Sequence, residues 1–186
     1  MRNVTLIQRG GRCCAHARGG FTLVEILMVV VILGIASAIL VPQIGSRNDL
    51  RAAAAARLVM SDLTYAQNRA IAQQKKHYVR FVGQTYSVCD TNALVPIQHP
   101  LKPAQSNGQY VITFGANGTN GLDQCAIGTI DFASQTIIGF NDLGEPFSYD
   151  GVTETPFTSA GTIIVQSGDL SLTIQIEPFT GEASVQ

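Results

Sequence analysis

The chain has 186 residues, 46% of them hydrophobic and 13% charged, with a formal net charge of -1. That size and balance suit one globular domain plus one apolar segment and exclude two full domains, and no repeat or low-complexity tract is present. The charge is unevenly spread. Residues 1 to 20 carry Arg2, Arg9, Arg12 and Arg18 with no acid, whereas residues 83 to 186 hold ten acids and a single base, Lys102. The acidic part repels DNA phosphate, so no nucleic-acid partner is expected.

In chain order, the basic leader comes first and contains Cys13, Cys14 and His16. It is followed by an apolar run, Ile26 to Val41, headed by one carboxylate, Glu25. As a helix the run rises about 24 Å, short of a lone membrane span, although Phe21 to Val24 extend it. The arginines ahead of it stay in the cytoplasm by the positive-inside rule, which places the remainder outside. Pro42 interrupts the helix, with Gly45 and Ser46 behind it. A polar helix restarts with Ser46 as cap and Asp49 three residues on. Ala52, Ala56, Val59, Leu63, Ala66 and Ala70 then recur at spacings of four and three. This draws one narrow, small-residue stripe that docks on a sheet. The bases from Arg47 to Arg80 read as a solvated face, with a partner or lipid-headgroup contact as the alternative.

After Lys76 the pattern becomes extended. "HYVRFV" and "TYSVCD" flank Gly83-Gln84 as a hairpin, and "YVITF", "IGTIDFA" and "TIIGFN" follow. "TIIVQS" and "LSLTIQIE" join through Gly168-Asp169, Pro178 stops the latter, and "EASV" returns as an edge strand. Residues 91 to 109, with Pro96, Pro100 and Pro103, read as a long irregular loop. The fold class is α+β: a long N-terminal helix, membrane-spanning in its first half and amphipathic in its second, packed on about eight antiparallel strands.

Cys89 and Cys125 form an isolated pair in an oxidising compartment, and a disulfide between them is expected, with two separate buried thiols as the alternative. Zinc needs more ligands than this pair with His77 and His99. No catalytic constellation is visible: Ser167 in "VQSGD" lacks a strand-elbow-helix context. "NDLGE" at Asn141 to Glu145, near Asp150, offers oxygen atoms without the periodicity of a calcium loop, and the same residues make a turn. No catalytic residue, metal or cofactor is expected.

The junction at Gly20 and Phe21 carries the functional signal. An ordinary secretory signal, cleaved at "ASA" (Ala36 to Ala38), leaves Glu25 without a purpose and discards half of an apolar segment. Cleavage between Gly20 and Phe21 instead creates an α-amine four residues from Glu25, with a reference pKa of about 7.7–8.0. One chain satisfies its own carboxylate poorly from that position, whereas a neighbouring helix can supply the amine.

"GGFTLVEILMVVVILGIASAILVP" resembles the class III signal of type IV pilins and type II secretion pseudopilins. The resemblance implies cleavage after Gly20 by a prepilin peptidase, N-methylation of Phe21, an assembly role for Glu25 and a helix break at Pro42. It also implies two packed sheets. "LTYAQNRAIAQQKKHYVRF", "GFNDLGEPF" and "LTIQIEPFTGEASV", with a closing Gly181, resemble the GspH/FimT group of H-type minor pseudopilins and T-type minor pilins. The implied organisation is a cleaved leader (1–20), a transmembrane and assembly helix (21–44), an amphipathic helix (45–76) and a periplasmic β domain (77–186).

That resemblance implies a structural subunit: a minor pseudopilin of the inner membrane that joins a filament with other minor and major pseudopilins. The alternative within the superfamily is a minor pilin of a type IV pilus, priming assembly or serving DNA uptake. An alternative of another class is a membrane-tethered periplasmic binding module using the loop before Cys125.

Overall fold

The computed structural model describes residues 20–40, 47–90, 93–101, 106–118 and 121–186. The chain divides into two units, Met1–Gly45 and Ser46–Gln186. Among the sequence expectations, the leader, Pro42, the Ser46 cap and Lys102 lie outside the described residues.

The first unit contains α1, Leu23–Leu40. Thr22 caps it: the Glu25 N–H donates to Thr22 Oγ1 at 3.2 Å, which satisfies one of the amides that a helix start leaves free. From Leu23 to Ile35 its large apolar side chains are exposed on every face. A helix apolar all round has no solvent-facing side and needs an apolar surrounding or other helices. At 18 residues it rises about 27 Å. Among the described residues no helix is long and apolar enough to cross a membrane.

The second unit is an α+β domain in which α2, Arg47–Gln73, lies on two antiparallel sheets. One sheet has six strands in the order β3-β2-β1-β5-β6-β7: β1 His77–Val82, β2 Thr85–Cys89, β3 Val111–Thr113, β5 Ile137–Phe140, β6 Pro146–Tyr149 and β7 Glu154–Pro156. The other has the order β10-β9-β8-β4, with β4 Cys125–Asp131, β8 Gly161–Ser167, β9 Leu170–Ile176 and β10 Ala183–Val185. The two expected hairpins form, pairing Val82 with Thr85 and Ser167 with Leu170.

Strand alternation sends Val79, Phe81, Val88, Ile138 and Phe140 from one sheet, and Ile163, Val165, Ile174 and Ile176 from the other, into one core. The α2 stripe closes that core. Ala52, Ala56, Val59, Leu63, Ala66 and Ala70 are all at most 1% exposed, so the small-residue spacing read from the sequence is the buried face. The helix ends in a Schellman turn with Gln74 at a φ of 51° in place of the usual glycine. There the Lys75 N–H donates to Ala70 O and the Gln74 N–H to Ile71 O.

Two expectations are corrected. Among the described residues the domain has ten strands rather than about eight, because the β6–β7 hairpin lacks strand periodicity. All four β6 residues are buried and all three β7 residues exposed, with a proline in each. The expected Cys89–Cys125 bridge is also not formed: both thiols are free and buried. Cys89 pairs with Tyr78 and shares its cluster with Phe147 and Tyr149, on the face of the six-stranded sheet opposite Val79 and Val88. Cys125 lies in the core between the sheets. Burial pushes both thiols up in pKa.

Polar groups pin the helix to the sheets. Buried Asp62 accepts from Tyr86 Oη at 2.6 Å and from Tyr110 Oη at 2.8 Å. Burial, then the Asp62 charge, hold both phenols well above their usual pKa, so they remain donors. At the far end of α2, Arg69 Nε donates to His77 Nε2 at 3.0 Å, while His77 Nδ1 lies 3.1 Å from Lys75 O. Accepting from Arg69 requires a neutral imidazole, with its proton on Nδ1.

Replacing Asp62 by alanine strands two buried hydroxyls, and a loss of about 2–4 kcal/mol is expected in denaturant unfolding. Tyr86→Phe removes one donor and costs about 1 kcal/mol, and equal losses for the two variants argue against the shared-acceptor role. Burial, with the Arg69 charge acting in the same direction, lowers the His77 pKa from 6.5. The unfolded chain therefore binds the additional proton, and stability falls as pH drops below about 6.5 until the folded-state pKa is reached. The parent's unfolding midpoint, compared with that of His77→Gln between pH 7.5 and 5, measures this, and parallel curves reject it.

Candidate functional site

Two regions carry the sequence-derived candidates. In the first unit, Gly20 precedes α1 in an open position where an added Cβ meets nothing within 4 Å. The fold itself makes no demand for glycine there. Phe21 is exposed, and Glu25 occupies the first turn of α1 as its only acid. Among the described residues Glu25 makes no ion pair, the only such pair being Lys76 with Glu154. The sequence reading missed Thr22, although Thr22-x-x-Glu25 has the spacing of a capping box.

In the second unit, two turns and α2 meet at one corner. The Asn141–Glu145 turn closes on Asn141 Oδ1, which accepts from the N–H groups of Leu143 at 3.0 Å and Glu145 at 2.8 Å. This is the turn reading of "NDLGE". Among the described residues no cluster of three or more His, Cys, Asp or Glu suits a metal.

Between β9 and β10, Phe179 has a φ of 72° and the Thr180 N–H donates to Pro178 O at 2.9 Å. That is the rare, strained hand of γ-turn, and it holds the aromatic ring 75% exposed. Gln67 on α2 ties both turns together, donating from Nε2 to Gly144 O at 2.8 Å and to Thr180 O at 2.6 Å. Gly144 and Gly181 let the backbones come this close. A Cβ on Gly144 would lie 2.8 Å from Ile71 Cδ1, and one on Gly181 would lie 2.8 Å from Gln67 Nε2, both at positive φ.

Beside this corner is a groove of about 470 Å³. Phe147, Phe157, Pro146 and Pro156 make its apolar lining, and Phe179 stands at its edge. Lys76, Asp142, Glu145 and Glu154 supply the charge. Lys76 Nζ sits 2.5 Å from Glu154 Oε2 and 5.7 Å from the Phe147 ring centroid. Tyr78 Oη donates to the other Glu154 oxygen at 2.9 Å. Nothing in this arrangement pairs a nucleophile with a base; it is a surface for recognition rather than reaction. No sequence signal singled out Gln67, a polar residue on a polar-faced helix, and the groove depends on the unrecognised β6–β7 hairpin.

Residues 16–41 match the family model described as the prokaryotic N-terminal methylation motif, the signature of type IV pilins and pseudopilins. The motif points to a structural subunit and to a membrane-anchored precursor processed by a prepilin peptidase. No curated protein and no solved structure matches the chain.

If Gln67 and the two glycines hold the corner, Gly181→Ala costs about 1–3 kcal/mol through backbone strain and displacement of Gln67. Gln67→Ala costs about 1–2 kcal/mol. Hydrogen exchange should quicken at 142–145 and 178–181 in both variants, and unchanged protection of either turn in Gln67→Ala refutes the tie.

Proposed function

We propose that this pilin-like chain is an H-type minor pseudopilin, a structural subunit of a type II secretion pseudopilus that waits in the inner membrane as a single-pass protein with its β domain in the periplasm. Gly20 is the residue after which the peptidase cuts, and Phe21 becomes the methylated first residue. Glu25 is the assembly residue. Its partners are the peptidase and the other minor and major pseudopilins.

The observation that carries this reading is α1 itself: a helix apolar on all faces, matching the methylation motif, with its one carboxylate in the first turn. The open site at Gly20 supports recognition by the peptidase, since no packing in the fold calls for glycine there. Placement in the H-type group draws on the second unit. The three segments that resemble that group hold Gln67, Gly144 and Gly181, and these residues meet at one corner through two hydrogen bonds and close backbone contacts.

The mature protein should begin at Phe21 carrying one N-methyl group, read by intact-mass and amino-terminal mass spectrometry; a start at Ile39 overturns the reading. Glu25→Ala should be cleaved and methylated as the parent is, yet its recovery in sheared filaments together with other pseudopilins should fall by an order of magnitude or more. Recovery equal to the parent's rejects the assembly role of Glu25. Association with pilus subunits in place of secretion subunits moves the chain to the minor-pilin branch.

A further inference from the structure

Large apolar side chains gather on the outside of the Gln67 corner. Phe179 is 75% exposed, Leu143 73% and Ile71 42%. They belong to segments that touch. Ile71 Cδ1 lies 2.8 Å from where a Cβ on Gly144, the residue after Leu143, would stand, and Gly144 O lies 3.1 Å from the Cβ position of Gly181, two residues beyond Phe179. Single exposed apolar residues are ordinary, whereas several together at one place mark a contact surface. The patch is a projection that offers side chains to a partner.

The backbone holds this projection still. Gln67 Nε2 fixes a carbonyl in each turn, and Gln74 Nε2 donates to Asp142 O at 3.4 Å. Phe179 keeps its place through the strained γ-turn at a φ of 72°. A ring held outward against backbone strain adds little to its own core. It does reduce the ordering entropy lost on binding, and aromatic residues are enriched in the cores of interfaces.

The surrounding charge selects the partner. Residues 141–145 and 177–182 carry Asp142, Glu145, Glu177 and Glu182, all exposed, and no base. An anionic lipid surface is repelled by these acids. So is the chain's own β region, which has ten acids and one base over residues 83–186. We propose that the Ile71–Leu143–Phe179 corner docks into an apolar pocket rimmed by Lys and Arg on a different pilin-like subunit, with the Phe179 ring as the inserted anchor. Three side chains make a weak contact alone, and the contact strengthens when both partners are already held in one assembly. The inference therefore rests on the filament reading and adds to it the surface used and the chemistry of the neighbour.

The test uses the full chain in cells that assemble the filament, with a benzophenone amino acid at Leu143 as photocrosslinker. Irradiation should give an adduct that mass spectrometry identifies as another pilin-like subunit. Phe179→Gly removes the ring and releases the strain, so the adduct should fall at least tenfold while the unfolding midpoint of the full chain in detergent stays within about 3 °C of the parent's. Asp142→Lys with Glu182→Lys should reduce the adduct at least fivefold, and Lys→Glu or Arg→Glu changes beside the crosslinked site of the neighbour should restore at least half of it. A larger drop in the Phe179→Gly midpoint assigns the ring to the fold and overturns the inference. So do adducts that survive both sets of changes, that form with a second copy of this chain, or that form with a secreted protein. The content of sheared filaments separates the two readings. A chain present there without a subunit adduct leaves the filament reading standing and overturns the corner contact, whereas a subunit adduct from a chain that never enters the filament leaves the contact standing and overturns the filament reading.

Discussion

The second unit depends on how closely α2 approaches the sheets. Four of the six stripe residues are alanine, and all six are buried, so the helix backbone lies near strands from both sheets at once. Larger residues would fill the space better by themselves but would lift the helix off one sheet. With the helix seated this low, polar side chains short enough to be buried can reach the sheet layer: Asp62 meets two tyrosine hydroxyls near the middle of α2, and Gln67 meets two turn carbonyls a turn further on. Buried polar groups stabilise only when satisfied. The stripe, Asp62 and Gln67 therefore form one arrangement, and the corner groove is its outward edge.

Much of this was legible in the sequence because it rests on period. The alanine stripe follows the helical repeat, the two hairpins follow glycine-led two-residue turns, and the switch at Lys76 follows β-branched enrichment. The β6–β7 hairpin was not legible. "PFSY" is buried on both faces and "ETP" on neither, so neither shows the alternation that marks a half-buried strand. Phe147 and Tyr149 lie on one face of β6, and two of the residues that cover them, Tyr78 and Leu94, are distant in sequence.

The cysteines show the same limit in sharper form. Composition and compartment favour a bridge, yet pairing is decided by facing. Tyr78 stands opposite Cys89 in the β1–β2 register, and with period-two alternation the thiol points away from the core that holds Cys125. A shift of one residue in β2 would have turned it inward. For the candidate site, the methylation motif over residues 16–41, in which Gly20, Phe21 and Glu25 fall, was legible because it is contiguous. The Gln67 corner was not, because its parts lie on three segments and only the fold brings them together.

Thr22 sharpens what Glu25 means. A glutamate at the third position of a helix that begins with threonine has an ordinary explanation as part of a cap, and the Glu25 N–H does bond to Thr22 Oγ1. That bond, however, uses the Glu25 backbone and the Thr22 side chain, and any residue at 25 would make it. What the carboxylate itself gains from a helix start is about 0.3–1 kcal/mol, from the dipole. Placed in an apolar layer, a carboxylate costs about 2.5–3.5 kcal/mol even on insertion scales. Capping falls short of that cost by about 1.5–3 kcal/mol, on a helix with no other polar face to turn toward water. In the proposed filament, a cation from outside the helix would offset the remainder, and the first residue of a neighbouring α1, once cleaved, would carry one.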